Sequence, residues 1–477
     1  MTNDPNLPEH PARPRSKTLE VAIIGGGLAG LAAGCALAES GFNITVFERR
    51  PFLGGRASSY QHPGTGETVD NCQHVLLGCC TNLIDFYRRL KVQDKIRWYD
   101  QLTFLEPGGR SSVLSPYALP APFHMTPAFL GANCLGIADK LSIAYAMAVL
   151  APKTPRDTGR SFLTWLRDHH QTERAIERFW KTVLVSALNE DLDRVSIPYA
   201  AQVIRESFLK SPEAGRMGVP AVPLTELYSV AGEYIKERGG DVRLRAGVDC
   251  LQPGSESVTL SVNGEKLLFD SVISAVPFDN LYKLLPETRD AEPLRLSLAK
   301  FETSPITGIH LWFDRQITDL DHAVLLDRNI QWMFNKSRLL ETSRSDTGSY
   351  VELVVSASKK LVEKSRGDII DLAVAELSEF FPQVRDAKLV KSTVIKEVHA
   401  TYSPLPGSDE YRPKPGTIWP RLFLAGDWTA TGWPATMEGA VRSGYAAAEL
   451  VARASGPSES HFLVSNLRAT GLMRLFE

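Results

Sequence analysis

The chain carries no surplus of charge of either sign. Its 477 residues hold 53 Lys+Arg against 55 Asp+Glu, a formal net charge of −2 at pH 7. Binding along a phosphate backbone needs a basic excess, so nucleic acid is not an expected partner. Cysteine is sparse. Cys35, Cys72, Cys79, Cys80, Cys134 and Cys250 form no C-x-x-C pair, and no His/Cys cluster has zinc spacing. Reduced, mostly buried thiols and no metal site are expected, in a cytoplasmic protein. Long apolar runs are also missing. Leu141 to Ala151, the longest uncharged apolar run in the middle of the chain, is too short to cross a bilayer. Residues 1–17 contain four prolines and mixed charge without the apolar centre of a signal peptide, and read as a disordered tail. No internal repeat is evident.

What is present is a glycine-rich junction at the start of a chain long enough for two or three domains. Val21 to Ile24 is a short apolar run that enters Gly25, Gly27 and Gly30, a G-x-G-x-x-G. Leu28, Leu31, Ala32, Cys35 and Ala36 then recur at helical spacing, and Ile44 to Phe47 forms a second apolar run ending on Glu48. The pattern predicts strand, tight turn, helix, strand. Gly25 permits the turn, Gly27 lets a pyrophosphate approach the backbone, and Gly30 lets helix pack on strand. The helix N-terminus, beginning at Leu28 and Ala29, offers N–H groups to phosphate. Glu48 lies where a carboxylate accepts hydrogen bonds from ribose hydroxyls.

Six and seven residues after Glu48 stand Gly54 and Gly55, followed by Arg56. An NAD site needs no such second phosphate element. Glu48 with Gly54-Gly55-Arg56 resembles the superfamily of flavin-dependent amine oxidases and phytoene desaturases, and the resemblance spans roughly residues 18–455. A third matching element is Leu424 to Gly444, LAGDWTATGWPATMEGAVRSG. The resemblance implies non-covalent FAD. Asp427 would bond a ribityl hydroxyl, the Val248 backbone would meet the adenine ring, and the helix starting at Met437 would stabilise negative charge on the reduced flavin. The candidate cofactor residues are Gly25, Gly27, Leu28, Ala29, Gly30, Glu48, Arg49, Gly54, Gly55, Arg56, Val248, Gly426, Asp427, Trp433, Thr436 and Met437.

The fold class expected is α/β, a discontinuous Rossmann-like FAD-binding domain interleaved with an α+β substrate-binding domain. The expected FAD-binding parts are 18–114, 225–285 and 393–455. The substrate parts are 115–224, which is helical, and 286–392, a sheet with a helix. A tail follows at 456–477. Within these, a hairpin is expected about Gly108-Gly109, a proline-broken apolar loop with Tyr117, Leu119, Phe123 and Leu130, a helix over Ile137 to Leu150, and one helix over Ser161 to Ala187.

A narrower resemblance rests on Asp70 to Gly78 (DNCQHVLLG), the Trp180 to Ser196 span and the third flavin element. These look like the squalene-associated hydroxysqualene dehydroxylases of hopanoid biosynthesis, though Cys72 stands where that family has glycine. The resemblance implies reductive dehydroxylation of hydroxysqualene, with hydride from reduced flavin and a general acid for the leaving hydroxyl. Asp70 and His74 are the candidates for that acid. The implied partners are a long-chain isoprenoid lipid, an external electron donor of unknown identity and the periphery of the inner membrane. Three alternatives stay open: a phytoene-type carotenoid desaturase, a flavin amine oxidase with Trp428 and Trp433 as its aromatic pair, and a non-catalytic flavin-binding scaffold.

Overall fold

The computed structural model describes residues 19–340, 348–456 and 460–477; the tail expected over 1–17 lies outside them. Five parallel strands form the central sheet, in the order Asp241–Leu244, Asn43–Glu48, Glu20–Ile24, Ser271–Ser274, Leu422–Leu424. Three distant stretches of chain therefore share one sheet. Val21 to Ile24 are buried on both faces, as parallel strands covered by helices require. Successive side chains alternate between two cores. Val21, Ile23, Ile44, Val46 and Ile273 point to one, and Ala22, Ile24, Phe47 and Val272 to the other.

The first core is closed by the helices Leu28–Glu39, Leu224–Lys236 and Met437–Ala454. Leu28–Glu39 is buried from Leu28 through Ala38, which explains why it is almost wholly apolar. Gly444 lets the last helix touch it, since a Cβ there would lie 2.2 Å from the Ala29 carbonyl oxygen. The second core is closed by an antiparallel meander, Val248–Pro253, Val258–Val262 and Glu265–Phe269.

A second sheet has seven strands, ordered Leu389–Tyr402, Thr303–Phe313, Ser349–Ser356, Trp332–Asn335, His322–Leu325, Leu102–Leu105, Ser111–Leu114. The hairpin about Gly108-Gly109 forms, but it edges this sheet instead of joining the nucleotide-type sheet its sequence position suggested. Leu105 enters the core under the helix Arg366–Phe380 and so ties the hairpin down.

A helical layer packs beside these sheets. Ile137–Leu150 forms as expected. Ser161 to Ala187 is not one helix. Phe162–Asp168, capped by the Ser161 hydroxyl, ends at His170, whose φ of +56° breaks the spiral. A new run starts at Glu173 and passes through a π-helical turn, Ile176–Lys181, that carries Phe179 and Trp180 into the core. The C-terminal stretch packs on the body. Phe462 is buried beside the first core, and the Leu472 N–H donates to the Ala121 carbonyl at 2.9 Å. Among the described residues no helix is long and apolar enough to cross a membrane.

Candidate active site

A cavity of about 540 Å³ opens at the carboxyl edge of the parallel sheet and is closed on its far side by the seven-stranded sheet and the helical layer. Its narrow end is made of backbone. Gly25 has φ +106° and its N–H donates to the Phe47 carbonyl at 2.8 Å, fixing the turn. Gly54 has φ +104° and its N–H donates to the Gly26 carbonyl at 2.8 Å. The two glycine turns thus lie against each other, and a Cβ on Gly55 would lie 2.9 Å from the Gly27 Cα. The fingerprint helix begins at Leu28 with no side chain capping it, so its N–H groups face this cradle. Glu48 closes one side, its carboxylate accepting from the N–H groups of Gly26 (2.7 Å) and Arg50 (2.8 Å).

Gly25, Gly27, Leu28, Ala29, Glu48, Arg49, Gly54, Gly55, Arg56, Val248, Gly426, Asp427, Thr436 and Met437 all line the cavity, as does His74. Gly30, Trp433 and Asp70 do not. Gly30 is behind the wall, where a Cβ would lie 2.0 Å from the Gly25 carbonyl oxygen. Trp433 is turned into a small core with Cys79 and Ala214, under the Arg442 guanidinium. It therefore forms no aromatic pair with Trp428 across the cavity. Cys79, beside it, is buried and outside the lining.

At mid-cavity Arg56 Nη2 donates to Asp427 Oδ1 at 2.6 Å, and Arg56 Nη1 to the Ala400 carbonyl at 2.8 Å. Burial pulls the Arg56 pKa down, but Asp427 and Glu397 outweigh it and the guanidinium is held charged. The Asp427 loop is pinned from behind by Arg412, a residue that draws no notice in the sequence. Its buried fork donates to the carbonyls of Asp427 (3.0 Å), Thr429 and Trp433 (2.9 Å). Thr436 caps the last helix, its hydroxyl accepting from the Gly439 N–H at 3.1 Å, which sets the helix N-terminus and Met437 at the cavity wall.

Asn71 to Val75 form the opposite wall. Asn71 Nδ2 donates to the Arg56 carbonyl (3.0 Å) and to Glu397 (3.2 Å). His74 Nδ1 stands 2.7 Å from the Cys72 carbonyl, and since a carbonyl only accepts, that nitrogen carries the proton and Nε2 the lone pair. Burial holds the His74 pKa below its ordinary value, against the opposing pull of that carbonyl and of Asp70. Asp70 itself is 4% exposed and turned away from the cavity. Burial alone would raise its pKa, but Lys336, the Ser59 hydroxyl and the Leu224 N–H reverse this and keep it a carboxylate. At neutral pH the two residues expected to act as acids are thus present in their basic forms. The helical layer and the seven-stranded sheet add Ser186, Ala187, Asn189, Ile306, Ala400 and Thr401 to the lining.

The residues fit FAD. The paired glycine turns leave room for a pyrophosphate that any Cβ would fill, uncapped helix N–H groups point there, and a carboxylate stands where a ribose would lie. Comparison with known proteins agrees. The family described as flavin containing amine oxidoreductase matches residues 28–452. The chain is 29% identical to the 15-cis-phytoene desaturase of Synechococcus elongatus over 463 residues, covering 91% of this chain and 96% of that one. It is 27% identical to the probable zeta-carotene desaturase of the same organism, covering 91% and 99%. Among solved structures, cyclohexylamine oxidase from Brevibacterium oxydans superposes with a TM-score of 0.67 at 17% identity, covering 91% of this chain and 98% of that one. That last likeness concerns the fold.

Proposed function

This chain belongs to the flavin containing amine oxidoreductase family, and within it we propose that the protein desaturates a long isoprenoid hydrocarbon. It is a flavin-dependent oxidoreductase with FAD as cofactor. When bound, FAD takes up or returns a hydride equivalent. Desaturation removes a hydride from one carbon and a proton from its neighbour, and the electrons of the second C–H bond become the new double bond. The chain must therefore accept a proton. His74 is the group for that step. The Cys72 carbonyl fixes its tautomer, Nε2 offers the lone pair, and burial keeps the ring neutral. This is the observation that carries the proposal.

The other residues bind and orient. Asn71 and Arg56 hold the wall beside Asp427, while Cys72, Val75, Ala187 and Ile306 present apolar surface suited to a hydrocarbon chain. Relatives named as carotenoid desaturases support the same substrate class. The amine oxidase reading loses support because Trp433 is turned out of the cavity.

A second reading is reductive dehydroxylation of hydroxysqualene to squalene, favoured by the Asp70–Gly78 and Trp180–Ser196 resemblances. It requires a proton donor, whereas Asp70 is held as a carboxylate and His74 as a neutral base. Anaerobic single-turnover assays separate the two. Oxidised holoenzyme with phytoene-type polyenes should yield an added double bond. Squalene formed from hydroxysqualene by the reduced holoenzyme, with no polyene desaturated, would reverse the order of the readings.

We further propose that substrate arrives from a lipid surface. Leu130, Ile137 (80% exposed), Leu141, Leu475 (77% exposed) and Phe476 are apolar and uncovered on the helical layer and the C-terminal turn.

A further inference from the structure

Lys336 lies one residue beyond the strand Trp332–Asn335 of the seven-stranded sheet, at the start of a single helical turn. Its chemistry is out of keeping with its place. It is 1% exposed, on a strand and turn whose other buried side chains include the apolar Phe334 and Leu339. Burying an ammonium is costly unless each N–H finds an acceptor and the charge is balanced. Lys336 balances its charge with Asp70 and finds hydrogen-bond acceptors for two of its three N–H groups. Nζ donates to Asp70 Oδ2 at 2.6 Å and to Gln73 Oε1 at 2.8 Å, and stands 3.4 Å from Glu352 Oε2.

Both acceptors belong to the segment that carries the cavity wall, Gln73 within the wall and Asp70 just before it. Asp70 and Gln73 bracket Asn71 and Cys72, and Gln73 Nε2 donates to the His74 carbonyl at 2.9 Å. The grip therefore continues from the seven-stranded sheet through Gln73 to the backbone of the residue whose imidazole faces the cavity. The neighbouring holds come from the other side. Ser59 and Leu224 fix Asp70, and Arg56 and Glu397 fix Asn71.

We infer that Lys336 is a positioning residue for the active site, clamping Asp70 and Gln73 so that the segment from Asn71 to His74 keeps one conformation against the cofactor cavity. It touches neither cavity nor substrate and acts through Gln73. Its charge has a second effect. The charged groups acting on His74 are Asp70, Arg56 and Lys336, and Lys336 opposes protonation of the ring, helping to keep it a base.

The test uses full-length holoenzyme carrying Lys336→Met, with hydrogen–deuterium exchange across residues 70–76 and the rate of flavin reduction. The variant should keep FAD within twofold of wild type. Exchange of the amides of 71–75 should quicken at least tenfold, and kcat should fall at least tenfold with KM within threefold. The acid limb of the kcat profile should move to higher pH. Exchange equal to wild type overturns the inference, and so does a kcat and acid limb equal to wild type, whatever the melting temperature. Should Lys336→Met fail to fold because Asp70 is left charged and unpaired, the double variant Asp70→Asn/Lys336→Met removes both charges and is read identically at residues 73–75. Only the rate arm rests on the isoprenoid reading. If the wild type turns over no isoprenoid, that reading fails, and the exchange arm, which needs no substrate, still decides this one.

Discussion

Arg56 and Asp427 lie 371 residues apart in the chain and 2.6 Å apart in the fold. One follows the second glycine turn and the other lies three residues beyond the edge strand Leu422–Leu424, so their contact ties the first and last cofactor-binding segments of the chain together at mid-cavity. Asp427 is the more buried partner, and Arg56 is about a third exposed, so water weakens the Coulomb attraction from its side. Asp427 therefore matters more for the FAD hydrogen bond proposed for it than for the ion pair. Replacing Asp427 by Ala removes one charge-assisted hydrogen bond, so the Kd for FAD should rise by about 10- to 100-fold. Flavin fluorescence titration of the apoprotein measures it. An unchanged Kd would place the ribityl chain elsewhere.

Arg412 is expected to be among the most sensitive positions in the chain. Its guanidinium reaches four carbonyls of the Asp427 to Trp433 loop at once, Trp428 through Nε and Asp427, Thr429 and Trp433 through Nη2, a spread of donors that a single ammonium cannot match. Arg412→Met leaves the Asp427 and Trp428 carbonyls without donors, while Thr431 still serves those of Thr429 and Trp433, and should cost about 3–5 kcal/mol. Arg412→Lys should recover less than half of that. Thermal unfolding of both holo variants, with FAD release followed by fluorescence, checks the order. Equal melting of wild type and Arg412→Lys would contradict it.

The two arginines show what the sequence can and cannot disclose. Arg56 is legible because two glycines precede it at a fixed distance from Glu48, and that spacing is a local property. Arg412 sits in Tyr411-Arg412-Pro413-Lys414 and Lys336 in Asn335-Lys336-Ser337-Arg338, and neither stretch carries a motif. Neither has its main partners nearby in sequence, so burial and pairing become visible only once the sheets are packed. Trp433 errs the other way. The third flavin element holds it in a recognisable motif, but the turn at Gly432, with φ +72°, precedes a side chain that enters the core with Cys79. The fingerprint strands were readable because each is a short apolar run bounded by turn residues, a signal that is local in the sequence. The break at His170 was not, because apolar residues continue at helical spacing on both sides of it.

His74 gives a pH dependence with a definite sign. Its pKa lies below the ordinary histidine value, so the neutral base is the main form at pH 7 and protonation sets in only in acid. Flavin reduction by substrate should thus be level near neutrality and fall as pH drops below about 6.5, the unperturbed value. His74→Phe should slow that step by about 10²-fold with FAD retained, and should abolish the acid limb. Stopped-flow reduction from pH 5 to 8 reads both. A variant keeping the wild-type limb would move the proton acceptor to another residue.

The uncovered apolar face makes a prediction independent of the chemistry. Ile137 and Leu141 stand one helical turn apart, both exposed, on the helix whose other side is buried through Ile143, Ala146 and Leu150. Ile137→Glu with Leu141→Glu should weaken binding to neutral phospholipid vesicles at least tenfold in flotation assays. Activity on detergent-dispersed substrate should stay within twofold, since neither residue lines the cavity. Undiminished vesicle binding would remove this face from the lipid contact.

Glu352 links the buried Lys336 cluster to stability. It is fully buried, and burial pushes its carboxyl up from 4.5 to about 7, opposed by Lys336 and reinforced by Asp70. A carboxyl that holds its proton more tightly when folded favours the folded chain below the unfolded pKa. That contribution is lost as pH rises, because the unfolded chain releases the proton near 4.5 and the folded chain only near 7. The loss across this window is at most about 3 kcal/mol. Glu352→Gln cannot ionise, so its stability relative to wild type should rise steadily from pH 4.5 to 7 and level off beyond. Denaturant unfolding of both proteins at half-unit steps of pH gives the difference curve. Parallel curves for the two proteins would mean that Lys336 holds Glu352 ionised throughout, and that the cluster carries a net negative charge beside the cavity wall.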